Sequence, residues 1–552
     1  MTEMLVVGVV GIVVLAVAAT LGPRVGVAAP LLLVVVGVGA SFLPLFAGVE
    51  IEPEWILEGV LPPLLYSSAV SMPAMNFRRE FGAISGLSVV LVVAGSLVLG
   101  WFFSLVVPGL GFAWGVALGA IVSPTDAVAT SIIRRTSTSR RVVAMLEGES
   151  LLNDATALVI LRTAIVATAA AFSFWGAVGS FAYSVAVAVV LGAAVGRLAL
   201  LVRRRIADPT VTTVISFAVP FLASVPAEIL GASGLVAAVV AGLLTGIRAP
   251  RDLSSRNRLA DSQNWRTVEF VLEGAVFLTM GLQIRGIVES VERDHAGVGT
   301  AVLVAVAALV LTVLVRAAYV APLLRGLAIR ARQHRSLQPR LEDMQERMRT
   351  AEGQEEFAAR SRRRVSQARL DRFAVRITRG LATIRYFLRE PLGWREGTVV
   401  VWAGMRGAVT VAAAQTLPET TPQRSVLVLV AFTVATLSLL VQGSTVGPLV
   451  RRLAPPVDPA ARERAEAERT ELLDLLRRTS TAIPEPERPD AEPAVERVRA
   501  SVEHRLVVLA AQRTALLDAR DDGAFDADVL EDALADLDAS EIAIELRGRG
   551  TG

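Results

Sequence analysis

Apolar residues in this chain come in long unbroken runs, not in the i, i+3, i+4 spacing of a helix packed against a soluble core. A helix needs roughly 20 predominantly apolar residues to cross a bilayer. Runs of that kind cover residues 4–21, 26–46, 54–71, 82–107, 111–133, 142–170 and 174–202, then 211–225, 234–247, 265–284, 298–324, 397–417 and 425–450. The pattern predicts an all-α polytopic membrane protein of about thirteen spans. The first run lacks a basic leader and a small-residue cleavage site, and reads as the first span.

Polar positions test that count. Arginines cluster in every second loop: Arg24; Arg78 and Arg79; Arg134, Arg135, Arg140 and Arg141; Arg203 to Arg205; Arg248, Arg251, Arg256 and Arg258; Arg451 and Arg452. The opposite loops hold Arg285, Arg293 and Arg424, and residues 49–54 carry only acids. This is the positive-inside asymmetry, and it predicts an outside N-terminus and a cytoplasmic C-terminus in the cell membrane. Residues 1–452 form the expected membrane domain. Within it, residues 325–395 are a charged cytoplasmic insertion between spans eleven and twelve, and 453–552 are a helical cytoplasmic tail of regulatory character. Beyond the Pro-rich stretch 483–493, the tail reads as a hairpin turning at 521–524.

Composition changes the picture in one respect. The chain of 552 residues is 53% hydrophobic, and its net charge of +3 says nothing of partners until the charges are placed. It has no cysteine and no lysine, and three histidines, His295, His334 and His504. Disulfides and thiolate metal sites are excluded, and a histidine zinc site is disfavoured. No nucleotide-binding motif and no nucleic-acid signature is present, and no cofactor is expected.

Ionisable groups inside spans are expensive and mark function. Span five carries Asp126 in the string Ser123-Pro-Thr-Asp-Ala-Val, where Pro124 breaks the hydrogen-bond ladder and Ser123, Thr125 and Thr130 add oxygens. Span six carries Asp154 about 18 Å past its basic loop. There Ser150 shares a face with Asp154, and Glu149 with Asn153. Arg162, further along, either snorkels outward or pairs with an acid. Span twelve carries Arg406, which needs an acid; Glu149 is the candidate, leaving Asp126 and Asp154 free. Span ten offers Glu269 and Glu273 at i, i+4, as readily structural as functional.

The strings Leu61-Pro-Pro-Leu-Leu-Tyr66, Ser123-Pro-Thr-Asp-Ala-Val-Ala129, Gly148-Glu-Ser-Leu-Leu-Asn-Asp154 and Gly404-Met-Arg-Gly-Ala-Val409 resemble those of sodium/proton exchangers, most of all the electroneutral branch of the monovalent cation:proton antiporters. The resemblance implies inverted six-helix repeats, with discontinuous spans five and twelve crossing at mid-membrane, and a homodimer. It implies a secondary antiporter, not an enzyme, whose substrates are Na+ (or Li+) and H+. Asp154 is then the ion- and proton-binding carboxylate, with Asp126, Thr125 and Ser150 completing the Na+ site and Asn153, Glu149 and Arg406 bracing it. Two positions depart from the family pattern: Ala127 stands where Pro is common, and Ser67 stands where some members carry a third acid. With neutral Asn153 before Asp154, the simplest exchange is one proton for one cation. A K+/H+ antiporter is the alternative within transport. A cation channel would need a filter-like repeat, which is absent, and a membrane-anchored sensor would leave the mid-membrane charges without purpose.

Overall fold

A computed structural model describes residues 2–25, 28–46, 52–134, 136, 138–169, 173–294, 297–350, 367–453, 459–485 and 494–549. Among them all regular structure is helical. The chain divides into two units: residues 1–247, 261–324 and 394–454, and residues 248–260, 325–393 and 455–552.

The first unit contains the spans. Eight of the thirteen expected runs lie on helices long and apolar enough to cross a membrane unaided. The others lie on α1 (Thr2–Val25), α2 (Ala29–Ala40), the helix ending in α3 (Leu61–Ser71), and two broken pairs. A π-helical stretch, Trp55–Val60, precedes α3. Pro62 and Pro63 have no N–H to return to the preceding turn, so the ladder slips there to the wider repeat.

Next come α4 (Ala74–Ser85), α5 (Val92–Val106), α6 (Phe112–Val122), α7 (Val128–Arg134), α8 (Arg140–Ala169), α9 (Phe174–Arg203), α10 (Pro209–Ile229) and α11 (Gly234–Asp252). Then follow α12 (Ser255–Leu282), α13 (Ile284–Arg293), α14 (Val298–Arg349), α15 (Gln367–Arg389), α16 (Trp394–Trp402), α17 (Ala408–Gln415) and α18 (Arg424–Leu453). Helices α6 and α7 are the halves of span five, and α16 and α17 those of span twelve.

Two features hold the site in place. Helices α5 and α6 pack backbone to backbone, because a Cβ on Gly100 would lie 2.8 Å from Val116 Cα and one on Gly115 would strike the Gly100 carbonyl. Helix α18 runs through the centre, with 72% of its apolar stretch buried against 28% for α9. At the rim, Ile12, Trp175, Val190, Val214 and Ile229 are exposed, as side chains facing lipid must be.

The second unit has its own cores. The tail helices α19 (Pro459–Thr481), α20 (Ala494–Asp522) and α21 (Ala527–Arg549) pack Leu472, Leu509, Leu516, Phe525 and Leu530 together. The α20–α21 hairpin turns at Gly523, whose φ of +71° suits glycine. Another cluster joins Met348 to Leu370, Ile377 and Leu381. Residues 248–260, which carry one of the Arg-rich loops between spans, belong to this unit: Ser255 donates to Asp538 (3.1 Å) and Glu541 (2.8 Å), and Arg251 to Asp521 (2.8 Å).

Candidate ion-binding site

Each broken span leaves free peptide groups at its gap, and the two gaps meet. The Asp126 N–H donates to Met405 O (2.7 Å), tying one break to the other. Asp126 Oδ1 accepts from Val128 N–H (2.8 Å) at the start of α7. The same carboxylate lies against Gly407, the residue that begins α17. A Cβ there would come within 2.5 Å of Asp126 Cγ, so position 407 admits only glycine.

Arg406 does the opposite service. Its Nε donates to Val122 O (2.9 Å) at the end of α6, and its Nη1 donates to Gly404 O just past α16. Its own N–H donates to Ser438 Oγ on α18 (2.8 Å). A helix end carries roughly half a charge, negative at the C-terminus and positive at the N-terminus. One guanidinium therefore serves two C-termini, and one carboxylate lies at two N-termini.

Helix α8 braces the crossing. Asn153 Nδ2 donates to Thr125 O (3.1 Å) and Thr125 Oγ1 (2.7 Å), and the Thr125 hydroxyl donates to Glu149 Oε1 (3.1 Å). Glu149 is also held at both oxygens by Arg316 of α14, Nη2 lying 2.7 Å from Oε2, and Arg316 Nε donates to Val400 O (2.9 Å). Both side chains of this pair are 2% exposed. The expected pairing of Glu149 with Arg406 is thus corrected. Arg316 takes both carboxylate oxygens, and the Arg406 guanidinium is turned to the helix-end carbonyls.

A cavity of about 80 Å³ opens beside the crossing. Since one water needs roughly 10–15 Å³ of such volume, there is room for a small ion and several waters. Its polar wall comprises Thr125 and Asp126 from the first break, Ser150 and Asp154 from α8, Glu273 from α12, Ser68 from α3 and Thr410 from α17. Its apolar side includes Leu61, Leu65, Val276 and Phe277. The Ser150 hydroxyl proton is directed to Glu147 O (3.1 Å), which leaves lone pairs for a cation. Among the described residues no three acids converge tightly enough to form a multivalent metal group.

Of the residues expected from sequence, Asp126, Asp154, Thr125, Ser150 and Glu273 come together on this wall. Asn153, Glu149 and Arg406 stand behind it. Ser67 is buried on α3, while its neighbour Ser68 takes the cavity position and donates to Glu269 Oε1 (3.3 Å). Arg162 pairs with Glu228 (2.8 Å) on the protein surface.

Sequence reasoning passed over Arg316, although a lone arginine deep in an apolar run is a signal of the kind read at Arg406. It also passed over Thr410, whose buried Oγ1 has no hydrogen-bond partner. Two further pairs, the buried Arg141–Glu80 (2.6 Å) and Arg203 with the half-buried Asp261, were likewise missed.

The family model described as sodium/hydrogen exchanger, transmembrane, matches residues 12–340 and 372–452. An uncharacterised Na+/H+ exchanger of Mycobacterium bovis is 28% identical over 461 residues, covering 82% of this chain and 74% of that protein. A sodium, potassium, lithium and rubidium/H+ antiporter of Bacillus subtilis is 31% identical over 276 residues, covering 48% of this chain and 41% of that one. In fold, the chain is similar to the sodium proton antiporter MjNhaP1 of Methanocaldococcus jannaschii, with a TM-score of 0.56 at 16% identity over 82% of this chain and all of that one. The thirteen-run pattern, the two crossed breaks and the match along the membrane unit lead to one conclusion: this chain is a multi-pass membrane protein of the sodium/hydrogen exchanger family, a family of cation/proton antiporters.

Proposed function

We propose that this protein exchanges Na+ or Li+ for H+, one for one, at Asp154 and Asp126, with Thr125 and Ser150 as further ligands. The observation that carries the reading is that both carboxylates face one small cavity at the crossing of two broken helices. A dehydrating cation needs carboxylate charge and several oxygens, and a proton needs one of the same carboxylates. The two occupants exclude each other, so each half-cycle carries one or the other, the cation one way and the proton back. Asn153 and Glu149 hold the Thr125 loop, and Arg406 neutralises the helix ends behind it. The Arg-rich loops support an outside N-terminus and a cytoplasmic tail, and the family resemblance supports a homodimer.

The test uses proteoliposomes with an internal pH dye and an external sodium step. Asp154→Asn abolishes the signal at normal protein recovery, and Asp126→Asn abolishes or severely reduces it. Sodium-driven proton flux from Asp154→Asn refutes the site. In the same vesicles an imposed potential leaves the sodium–proton equilibrium unmoved; a shift of about 2.3 kcal/mol per 100 mV means that one net charge crosses per cycle. A broader choice of cation is a second reading, supported by the similarity to the sodium, potassium, lithium and rubidium/H+ antiporter of Bacillus subtilis. Steps of sodium, lithium and potassium at equal concentration distinguish the two.

A further inference from the structure

Helix α12 carries two carboxylates that the crossing does not use. Glu269 and Glu273 are four residues apart, hence on neighbouring positions of one face and about 6 Å apart along the axis. Glu273 faces the cavity. Glu269 is joined to the same wall through Ser68, which lines the cavity and donates to Glu269 Oε1 (3.3 Å). Both acids, and Ser68, are half-buried, whereas Asp154 is buried.

One turn before Glu269 the character changes. Trp265 is buried against Tyr66 and Phe217, ring centroids 5.2 and 5.0 Å away, and its Nε1 donates to Ser216 Oγ (3.0 Å). Below it, Asp261 is committed to Arg203, Thr213 and Ser216. The lower acid of this face is therefore structural, and the packed Trp265 ring separates it in sequence from the two upper acids.

Those two acids do not rest on charge alone as a candidate ion station. Thr410, 1% exposed, lines the same cavity with a hydroxyl oxygen that no protein group satisfies. A buried hydroxyl without a partner is costly unless something supplies one. A cation or its remaining water in the cavity supplies it.

We propose that Glu269 and Glu273, linked by Ser68, are successive stations by which a monovalent cation enters from the face bearing the Arg134 and Arg203 loops, and that Thr410 is a hydroxyl ligand in the cavity it reaches. This deepens the proposed exchange site and rests on it. An ion leaving water meets a half-solvated carboxylate, passes to a second one turn further in, and then reaches Asp126 and Asp154. Each transfer replaces one oxygen ligand by another.

The test measures the apparent KM for Na+ separately from each face, in everted and in right-side-out membrane vesicles, at one pH and matched protein level. Glu273→Gln raises KM about tenfold from the everted face, the worth of one charge-assisted contact, and raises the right-side-out KM by clearly less. Glu269→Gln does the same to a smaller degree, and Glu273→Asp restores most of the loss. Thr410→Val raises KM from both faces. A purely structural role lowers protein level or maximal rate from both faces alike. Equal effects of Glu273→Gln on the two faces, an effect on the right-side-out face alone, or no effect on either, overturns the path. Asp154→Asn, run beside them, reports on the exchange site independently: flux that survives in it refutes the site whatever Glu273 does.

Discussion

Removing either partner of the Arg316–Glu149 pair should cost more than removing both. The pair is 2% exposed on each side, bonded at both carboxylate oxygens, and links α14 to α8. Arg316→Met leaves Glu149 with the Thr125 hydroxyl as its remaining side-chain donor. Stranding one charge of a buried pair costs about 3–5 kcal/mol. Glu149→Gln keeps the shape and strands the guanidinium, at a comparable cost. The double variant Glu149→Gln/Arg316→Met has no stranded charge, so its loss should be smaller than either single loss, which requires the two to fall short of adding by more than about 3–5 kcal/mol. Thermal unfolding of the four detergent-solubilised proteins gives the order: wild type highest, then the double variant, then the singles. The same cycle with Arg406→Met in place of Arg316→Met should show much weaker coupling, because Arg406 is bonded to carbonyls. Additive losses for Glu149 with Arg316, or stronger coupling of Glu149 to Arg406, would refute this account of the brace.

Two other outcomes are expected. Gly407→Ala should abolish exchange without removing the protein from the membrane, since its methyl occupies the place of the Asp126 carboxylate; wild-type flux, normalised to protein level, rules out this crossing. A chain ending at Pro455 should still exchange ions in vesicles, because the tail helices close around their own core; complete loss of flux with normal insertion contradicts a regulatory tail.

The spans were legible because a bilayer imposes length and apolarity on every crossing, and the thirteen runs each fall on a helix or a helix pair. The break at Asp126 was legible through Pro124, whose missing N–H is a local fact. The partner of Arg406 was not. Pattern states that a buried arginine must be satisfied, but a guanidinium is satisfied by carbonyls as well as by a carboxylate. Two buried arginines, Arg316 and Arg406, stand in spans eleven and twelve, and only the packing of α14 on α8 decides which reaches Glu149. Similarly, adjacent serines on α3 differ by about 100° of helical rotation. That rotation puts Ser68 on the cavity wall in place of Ser67, and chain position alone does not give it.

The crossing also bears on how membrane voltage acts on this protein. Spans five and twelve are seven apart in order, so they traverse the membrane in opposite directions. Their four half-helix dipoles cancel along the membrane normal, and Arg406 and Asp126 offset what remains at the gap. The joint thus presents almost no gating charge to an electric field. A voltage applied to the vesicle has little to pull on except the ions in transit, so any electrical work it does per turnover counts cargo, not protein.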